Sequence, residues 1–306
     1  MSETPNVEFA AAVPEFPDLT VYLEHLARRT VGAELIAIRL TSAFVLRTVK
    51  PSIADVCGRR VRGWRRIAKQ LVLELDGDYF VVIHLMISGR LKWERVGTPV
   101  PKRNGLAALD FTTGTMIFTE ASKKRRASIK LVKGEDALAA LDPGGLDVFD
   151  ASLSAFVARL KSTNHTLKRA LTDQHVFAGI GNAYSDEILL RARMSPFKQC
   201  GSLSQEEVAT LYAACQDVLR EWTQRLRDEA GEDFPKKVTA FHDEMAVHGK
   251  FRRPCPVCGA PVQRIVYAEN ESNYCARCQT AGRLLADRSL SRLLKANWPK
   301  RLEDLE

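Results

Sequence analysis

The sequence predicts an α+β protein of more than one domain. It has an N-terminal, mostly antiparallel β-sandwich or barrel with one helix laid against it, a helical middle, and a small cysteine module near the end. Three observations carry this reading. Short β-like runs broken by turn signals fill the stretch from Gly32 to about residue 133, helical spacing takes over from Ala151 to about Leu226, and four of the seven cysteines fall in two tight pairs. A chain of 306 residues can bury a real core, and this length favours two or three domains over one.

Apolar content of 45% and charged content of 27% are those of an ordinary globular chain. No stretch approaches the ~18–20 apolar residues of a membrane helix. The first thirteen residues carry no Lys or Arg and too short an apolar run for a signal peptide, so a cytoplasmic protein is the expectation. The net charge of +8 suggests a polyanionic partner. Arg59, Arg60, Arg62, Arg65, Arg66 and Lys69 form one basic cluster and Lys123-Lys124-Arg125-Arg126 another. Each reads either as a solvated face or as a phosphate contact, and the presence of two tilts toward phosphate.

The first helix follows Asp18, a candidate N-cap, with Leu19, Tyr22, Leu23, Leu26 and Ala27 at helical spacing and Gly32 as the stop. Strand-like runs come next: LVLEL (71–75), YFVVIHLMI (79–87), TMIFTE (115–120) and SIKLV (128–132). Asp142-Pro143-Gly144-Gly145 punctuates the change to helices, which ASLSAFVARLKS, HTLKRALTD, AYSDEILLRAR and SQEEVATLYAACQDVLREWTQRL supply. Residues 227–254 are polar and irregular, and the tail from 281 is expected to form a short helix with a docked end.

Cys255-Pro-Val-Cys258 and Cys275-Ala-Arg-Cys278 are separated by sixteen residues. Each Cys-x-x-Cys turn brings two thiolates to one side, and four thiolates suit tetrahedral zinc. With every ligand position filled by sulfur, such a Zn2+ ion, one per chain, is structural. It would hold a hairpin rigid, often against nucleic acid. Cys57, Cys200 and Cys215 are scattered and read as reduced thiols.

Between two helical segments stands Gly179-Ile180-Gly181-Asn182. Asn182 is placed to cap the second helix, whose free N–H groups could grip a phosphate while the glycines let a backbone approach. Spacing alone favours a plain helical hairpin that uses glycine for its turn.

Taken together, PEFPD at 14–18, IAKQLVLEL, HLMISGRL, LKRALTDQ…GIGNAYSDEIL and CPVC…YCARCQ resemble the formamidopyrimidine-DNA glycosylase / endonuclease VIII family, from Pro14 to about Gln279. The resemblance implies a clamp around damaged or abasic DNA. It divides the chain into a catalytic β-sandwich over 14–140, a helix-two-turn-helix domain over 150–248, a zinc-ribbon-like finger over 249–282 and a tail over 283–306, preceded by an extension over 1–13. It also implies a glycosylase/AP lyase acting as a monomer. A proline amine attacks C1′ of a flipped nucleotide, the base leaves, and β- and δ-elimination cut the strand through an iminium. Carried over by position, Pro14 would be the nucleophile and Glu15 the group that protonates the opening sugar. Lys69 would orient the lesion through phosphate, Asn182 would grip a flanking phosphate, and Lys168 would belong to the same phosphate-binding surface.

Three positions depart from the family pattern. Ile87 stands where a methionine fills the gap left by the flipped base, and it too is an apolar wedge. The loop holding Arg125 and Arg126 is basic but lacks the family's aromatic wedge. Asn270 stands where an arginine reaches the phosphate, and an amide is no substitute for a guanidinium.

The start departs most. Thirteen residues precede Pro14, and inside a chain its nitrogen is an amide without nucleophilic character. One expectation is that residues 1–12 are a start-site artefact, or are removed, with Val13 standing for a GTG initiation codon whose methionine is lost to expose Pro14. The alternative is a retained extension and a damaged-DNA-binding protein without proline chemistry, or with slow lyase activity through Lys69. A zinc-containing RNA-binding protein ranks lower, since no aromatic platform for stacking bases is evident.

Overall fold

The computed structural model describes residues 13–306 except 123, 237, 239–241, 268–269, 287–291, 294–298 and 306. Helix α1 (Phe16–Thr30) leads into β1 (Glu34–Leu40), a short α2 (Ile53–Val56), and β2 (Arg59–Ile67). The sheet continues with β3 (Gln70–Leu75), β4 (Tyr79–His84), β5 (Gly89–Glu94), β6 (Gly105–Phe111), β7 (Gly114–Glu120) and β8 (Ser128–Lys133). All pairings are antiparallel, in the order β5-β7-β6-β1-β2-β3-β4-β8.

The β1–β2 pairing is only two residue pairs long, Glu34↔Arg60 and Leu35↔Arg59, whereas β2 runs along β3 as far as Ile67↔Gln70. The strand order therefore turns a corner at β2 and doubles into two layers. Leu71, Leu73, Val81, Ile83 and Ile129 of one layer meet Leu35, Leu109, Phe111, Met116 and Phe118 of the other. Leu19, Tyr22 and Leu26, on one face of α1, close the same core. The outer face of the second layer buries Val72, Phe80 and Val82 under α3 (Glu135–Ala139).

A second core belongs to α4 (Leu153–Lys161), α5 (Leu167–Thr172), α6 (Asn182–Arg191) and α7 (Gln205–Ala230), and includes Phe156, Phe177, Tyr184 and Leu219. The finger is the hairpin β9 (Val262–Tyr267) and β10 (Asn270–Cys275) followed by the single turn α8 (Ala276–Thr280). Beyond it, backbone bonds from Leu284 to Lys300 and from Leu302 to Gly282 fold the tail back onto the finger. Arg292 and Leu293 are helical, while the rest of the expected tail helix lies outside the described residues.

Two boundaries differ from the sequence expectation. Helix α1 begins at Phe16, with Glu15 rather than Asp18 at the N-cap position, because Asp18 Oδ2 accepts the Glu15 N–H at 2.9 Å from inside the first turn. The run YFVVIHLMI is not one strand. Pairing stops at His84, and the chain turns over 86–88 with Met86 at φ 53°.

Candidate active site

Helix α6 starts where the two large domains meet, and its first turn carries buried N–H groups that need acceptors. The acceptor comes from α1. Glu15 is 1% exposed, and its carboxylate accepts from the N–H groups of Gly181 (2.7 Å), Ala183 (2.9 Å) and Tyr184 (3.2 Å). An anion at a helix N-terminus also meets the positive end of the helix dipole. The expectation that Asn182 caps this helix is therefore corrected. The cap is Glu15, 166 residues before Gly181 in sequence, and these N–H groups are not free for phosphate.

Gly181 is required by close approach. A Cβ there would lie 2.2 Å from Lys69 Nζ and 2.5 Å from the Glu15 carboxyl carbon. The same contact brings Lys69 beside Glu15. Lys69 sits in the two-residue turn between β2 and β3, where Ala68 takes φ 48°. Burial pushes the Lys69 ammonium below its usual range; Glu15 opposes that shift and Lys168 adds to it. Arg66 pins the turn across the domain boundary, pairing with Asp147, donating to Ala68 O at 2.7 Å and lying over the Phe16 ring at 4.6 Å. Phe16 N–H in turn donates to Gly179 O at 2.9 Å.

Beneath this cluster lies Asp18, also 1% exposed. Burial pushes its carboxyl up to about 7, against the pull of the Glu15 N–H. Asp18 Oδ1 and the hydroxyl of the fully buried Tyr184 have no hydrogen-bond partner among the described residues. Burial likewise drives the Tyr184 phenol upward, and Asp18 and Glu15 contribute to that shift.

Pro14, Glu15, Lys69 and Asn182 are thus brought together, with Pro14 buried next to the Glu15 cap and Asn182 half-buried at the first position of α6. Ile87 is 36% exposed at the tip of the β4–β5 turn. Arg125 and Arg126 are exposed on the β7–β8 loop. The base of that loop is pinned by buried Glu120, which accepts the N–H groups of Arg126 and Ala127 at 3.1 Å each. Lys123 and the side chain of Asn270 lie outside the described residues.

Two expectations of phosphate contact are corrected. Lys168 is not on a surface. It is 3% exposed, and its ammonium donates to Asn182 O and Asp186 Oδ1, both at 2.6 Å. The cluster over 59–69 is largely spent on internal partners. Arg65 pairs with Glu135 (2.7 Å) and Glu74 (2.8 Å), Arg66 pairs with Asp147, and Arg59 stacks on Tyr79 at 3.8 Å.

The sequence reading missed the lower half of α6. Asp186, 1% exposed, accepts from Lys168, from His248 Nδ1 (2.8 Å) and from Asn273 N–H (3.0 Å). Burial raises its pKa, but Lys168 and His248 outweigh that and hold the carboxyl below the usual range. Glu187 accepts three N–H groups, those of Ala246, Val247 and His248, at 2.9 Å each. The signal was two adjacent acids, Asp186-Glu187, directly before the apolar run Ile188-Leu189-Leu190. His84 was missed as well. Burial lowers it to about 4, with Lys69 and Lys130 adding to the shift, so a neutral imidazole faces the Lys69 turn near pH 7.

Sulfur atoms of Cys255, Cys258, Cys275 and Cys278 lie within 4.8 Å of one another, with Cys258 and Cys275 at 3.4 Å. A tetrahedral site with metal–sulfur bonds of about 2.3 Å has S···S edges of about 3.8 Å, so the four residues fit a metal ion. They form the only such group among the described residues.

Comparison with known proteins agrees with this architecture. Residues 13–127 match the formamidopyrimidine-DNA glycosylase N-terminal domain, 142–228 the formamidopyrimidine-DNA glycosylase H2TH domain, and 253–281 the zinc finger found in FPG and IleRS. The formamidopyrimidine-DNA glycosylase of Roseiflexus sp. (strain RS-1) is 32% identical over 276 residues, covering 87% of this chain and 100% of the relative. An uncharacterized formamidopyrimidine-DNA glycosylase-like protein of Mycobacterium tuberculosis is 40% identical over 156 residues, 51% of this chain and 95% of that one. The fold matches Lactococcus lactis Fpg in complex with DNA containing an abasic site, at a TM-score of 0.76 and 23% identity, over 87% of this chain and 99% of that one. Matched in order through sandwich, helical domain and finger, and at this identity to full-length relatives, the chain belongs to the formamidopyrimidine-DNA glycosylase family.

Proposed function

We propose that the protein is a DNA repair glycosylase with AP-lyase activity whose nucleophile is the amine of Pro14 once that residue begins the chain. The carrying observation is the Glu15 carboxylate, held by three N–H groups at the start of α6 and set beside Lys69 and Pro14. The free amine attacks C1′, and the base departs with the electron pair of its glycosidic bond. The Glu15 carboxylate takes the proton that the nitrogen loses on bonding to C1′ and passes it to O4′ as the sugar opens, leaving an iminium between Pro14 and C1′. Loss of the C2′ proton then drives β-elimination of the 3′ phosphate, and δ-elimination follows. Lys69 and Asn182 hold the flanking phosphates, Ile87 enters the gap in the stack, and Arg125 and Arg126 face the opposite strand. The four cysteines hold one structural Zn2+, whose task is to keep the β9–β10 hairpin rigid. The N-terminal family match begins at residue 13, which supports a functional start at Pro14.

A second reading rests on Lys69. If the extension is retained, Pro14 stays an amide, while the lowered pKa of Lys69 leaves a larger fraction of neutral amine beside Glu15. Borohydride trapping on abasic duplex separates the two. A chain starting at Pro14 should form the reduced crosslink, and the same chain acetylated on the Pro14 nitrogen and the 306-residue chain should not. Equal trapping by all three would shift the chemistry to Lys69, and no trapping by any would leave a binding protein.

A further inference from the structure

The buried group Lys168–Asp186–His248 has no part in the chemistry above, yet it joins the first residue of α6 to the finger. Lys168 Nζ donates to Asn182 O and to Asp186 Oδ1, both at 2.6 Å. One helical turn along from Asn182, the same Asp186 carboxylate accepts from His248 Nδ1 at 2.8 Å. It also accepts from Ser272 Oγ at 3.2 Å, Asn273 N–H at 3.0 Å and Asn273 Nδ2 at 3.4 Å. Ser272 and Asn273 lie on β10, which ends at the metal-ligating position Cys275. Lys168, Asp186 and His248 are each at most 3% exposed.

Holding three ionisable side chains out of water is costly, and an apolar trio of similar size would be at least as stabilising. What the charged trio adds is direction. A carboxylate with five donors fixes the distance and angle between α6 and β10 in a way that apolar packing does not. We propose that Asp186 and His248 are positioning residues. Through Lys168 they set the start of α6, and with it the phosphate grip of Asn182, according to how the metal-held finger is docked. This rests on the reading of Asn182 as a phosphate-binding residue.

The test uses the 306-residue chain and a duplex carrying a tetrahydrofuran abasic analogue, so that no amine chemistry is needed. Binding is followed by fluorescence anisotropy for Asp186→Asn, Asn182→Ala and the double variant. Hydrogen exchange is measured in parallel on the free proteins. Asp186→Asn should weaken binding at least tenfold and speed exchange at amides 182–185 and 271–274. The double variant should bind within twofold of Asn182→Ala alone, because the first change acts through the second residue. His248→Asn keeps an N–H donor near the Nδ1 position and should bind within threefold of the unaltered chain, whereas His248→Phe should lose tenfold or more. Multiplying effects in the double variant, or unaltered binding by Asp186→Asn, would overturn the proposal. If Asn182→Ala binds normally, the reading of Asn182 falls and the proposal with it. The exchange data then show separately whether the tie between helix and finger exists.

Discussion

Glu15 shows how one residue acquires two tasks. Its carboxylate closes the start of α6 and relays the proton of the proposed reaction from the amine to O4′. Replacing it with alanine would leave three buried donors unpaired, each at roughly 1–3 kcal/mol, so Glu15→Ala would confuse folding with chemistry. Glu15→Gln keeps the volume and one acceptor oxygen. In a chain starting at Pro14, it should lower the rate of iminium trapping by about 100-fold or more while abasic-duplex affinity changes only a few-fold. Loss of both together would make Glu15 a structural cap. Asp18 gives a pH signature. Its folded pKa of about 7 lies above its unfolded value near 4, so the folded state holds the extra proton between them. Stability from this group is therefore greatest below about pH 4 and is lost as pH rises toward 7, by at most about 4 kcal/mol. Asp18→Asn still offers an oxygen to the Glu15 N–H. In thermal unfolding it should raise Tm more at pH 8 than at pH 5, and a pH-independent difference would contradict the assignment. Pro14-Glu15 was legible in the sequence by resemblance. That Glu15 caps a helix 166 residues away was not, because a cap supplied by another domain leaves no local spacing.

Helix α6 is the element on which the site depends. Glu15 holds its start, Lys168 and Asp186 its middle, and Glu187 anchors residues 246–248 of the segment leading to the finger. Its extent and its glycine-bearing approach were readable from sequence, since apolar spacing and Gly179-Ile180-Gly181 are local signals. The burial of Lys168 was not, because its partner Asp186 lies 18 residues on and looks like a surface acid. Gly181→Ala tests the close approach directly. The added carbon must displace Lys69 Nζ and the Glu15 carboxyl, so we expect Tm to fall by several degrees and trapping to fall at least tenfold. A variant with unchanged trapping would mean that Lys69 and Glu15 need not be adjacent. The finger was the most legible element, because metal geometry fixes cysteine spacing. Stripping the metal with a chelator should abolish abasic-duplex binding and speed exchange in β9 and β10, while the two-layer sheet, which has its own core, stays protected.

At the scale of the molecule, sandwich, helices and finger converge on α6, the sandwich side at its start and the finger one turn along at Asp186. The net charge of +8 is distributed less simply than the sequence suggested, since much of the cluster over 59–69 neutralises internal acids. Binding to DNA should then rest on exposed residues such as Arg125 and Arg126. Each changed to alanine should flatten the plot of log affinity against log salt by about 1. No change in slope would remove this loop from the interface. The identity of the nucleophile decides the chemistry, and peptide mapping by mass spectrometry of the borohydride-trapped complex with abasic duplex reads it out. The reduced sugar adduct should lie on the nitrogen of Pro14 as the first residue of the chain. An adduct on Lys69, or none in a preparation whose N-terminus is verified as Pro14, would rule out the Pro14 amine as the nucleophile.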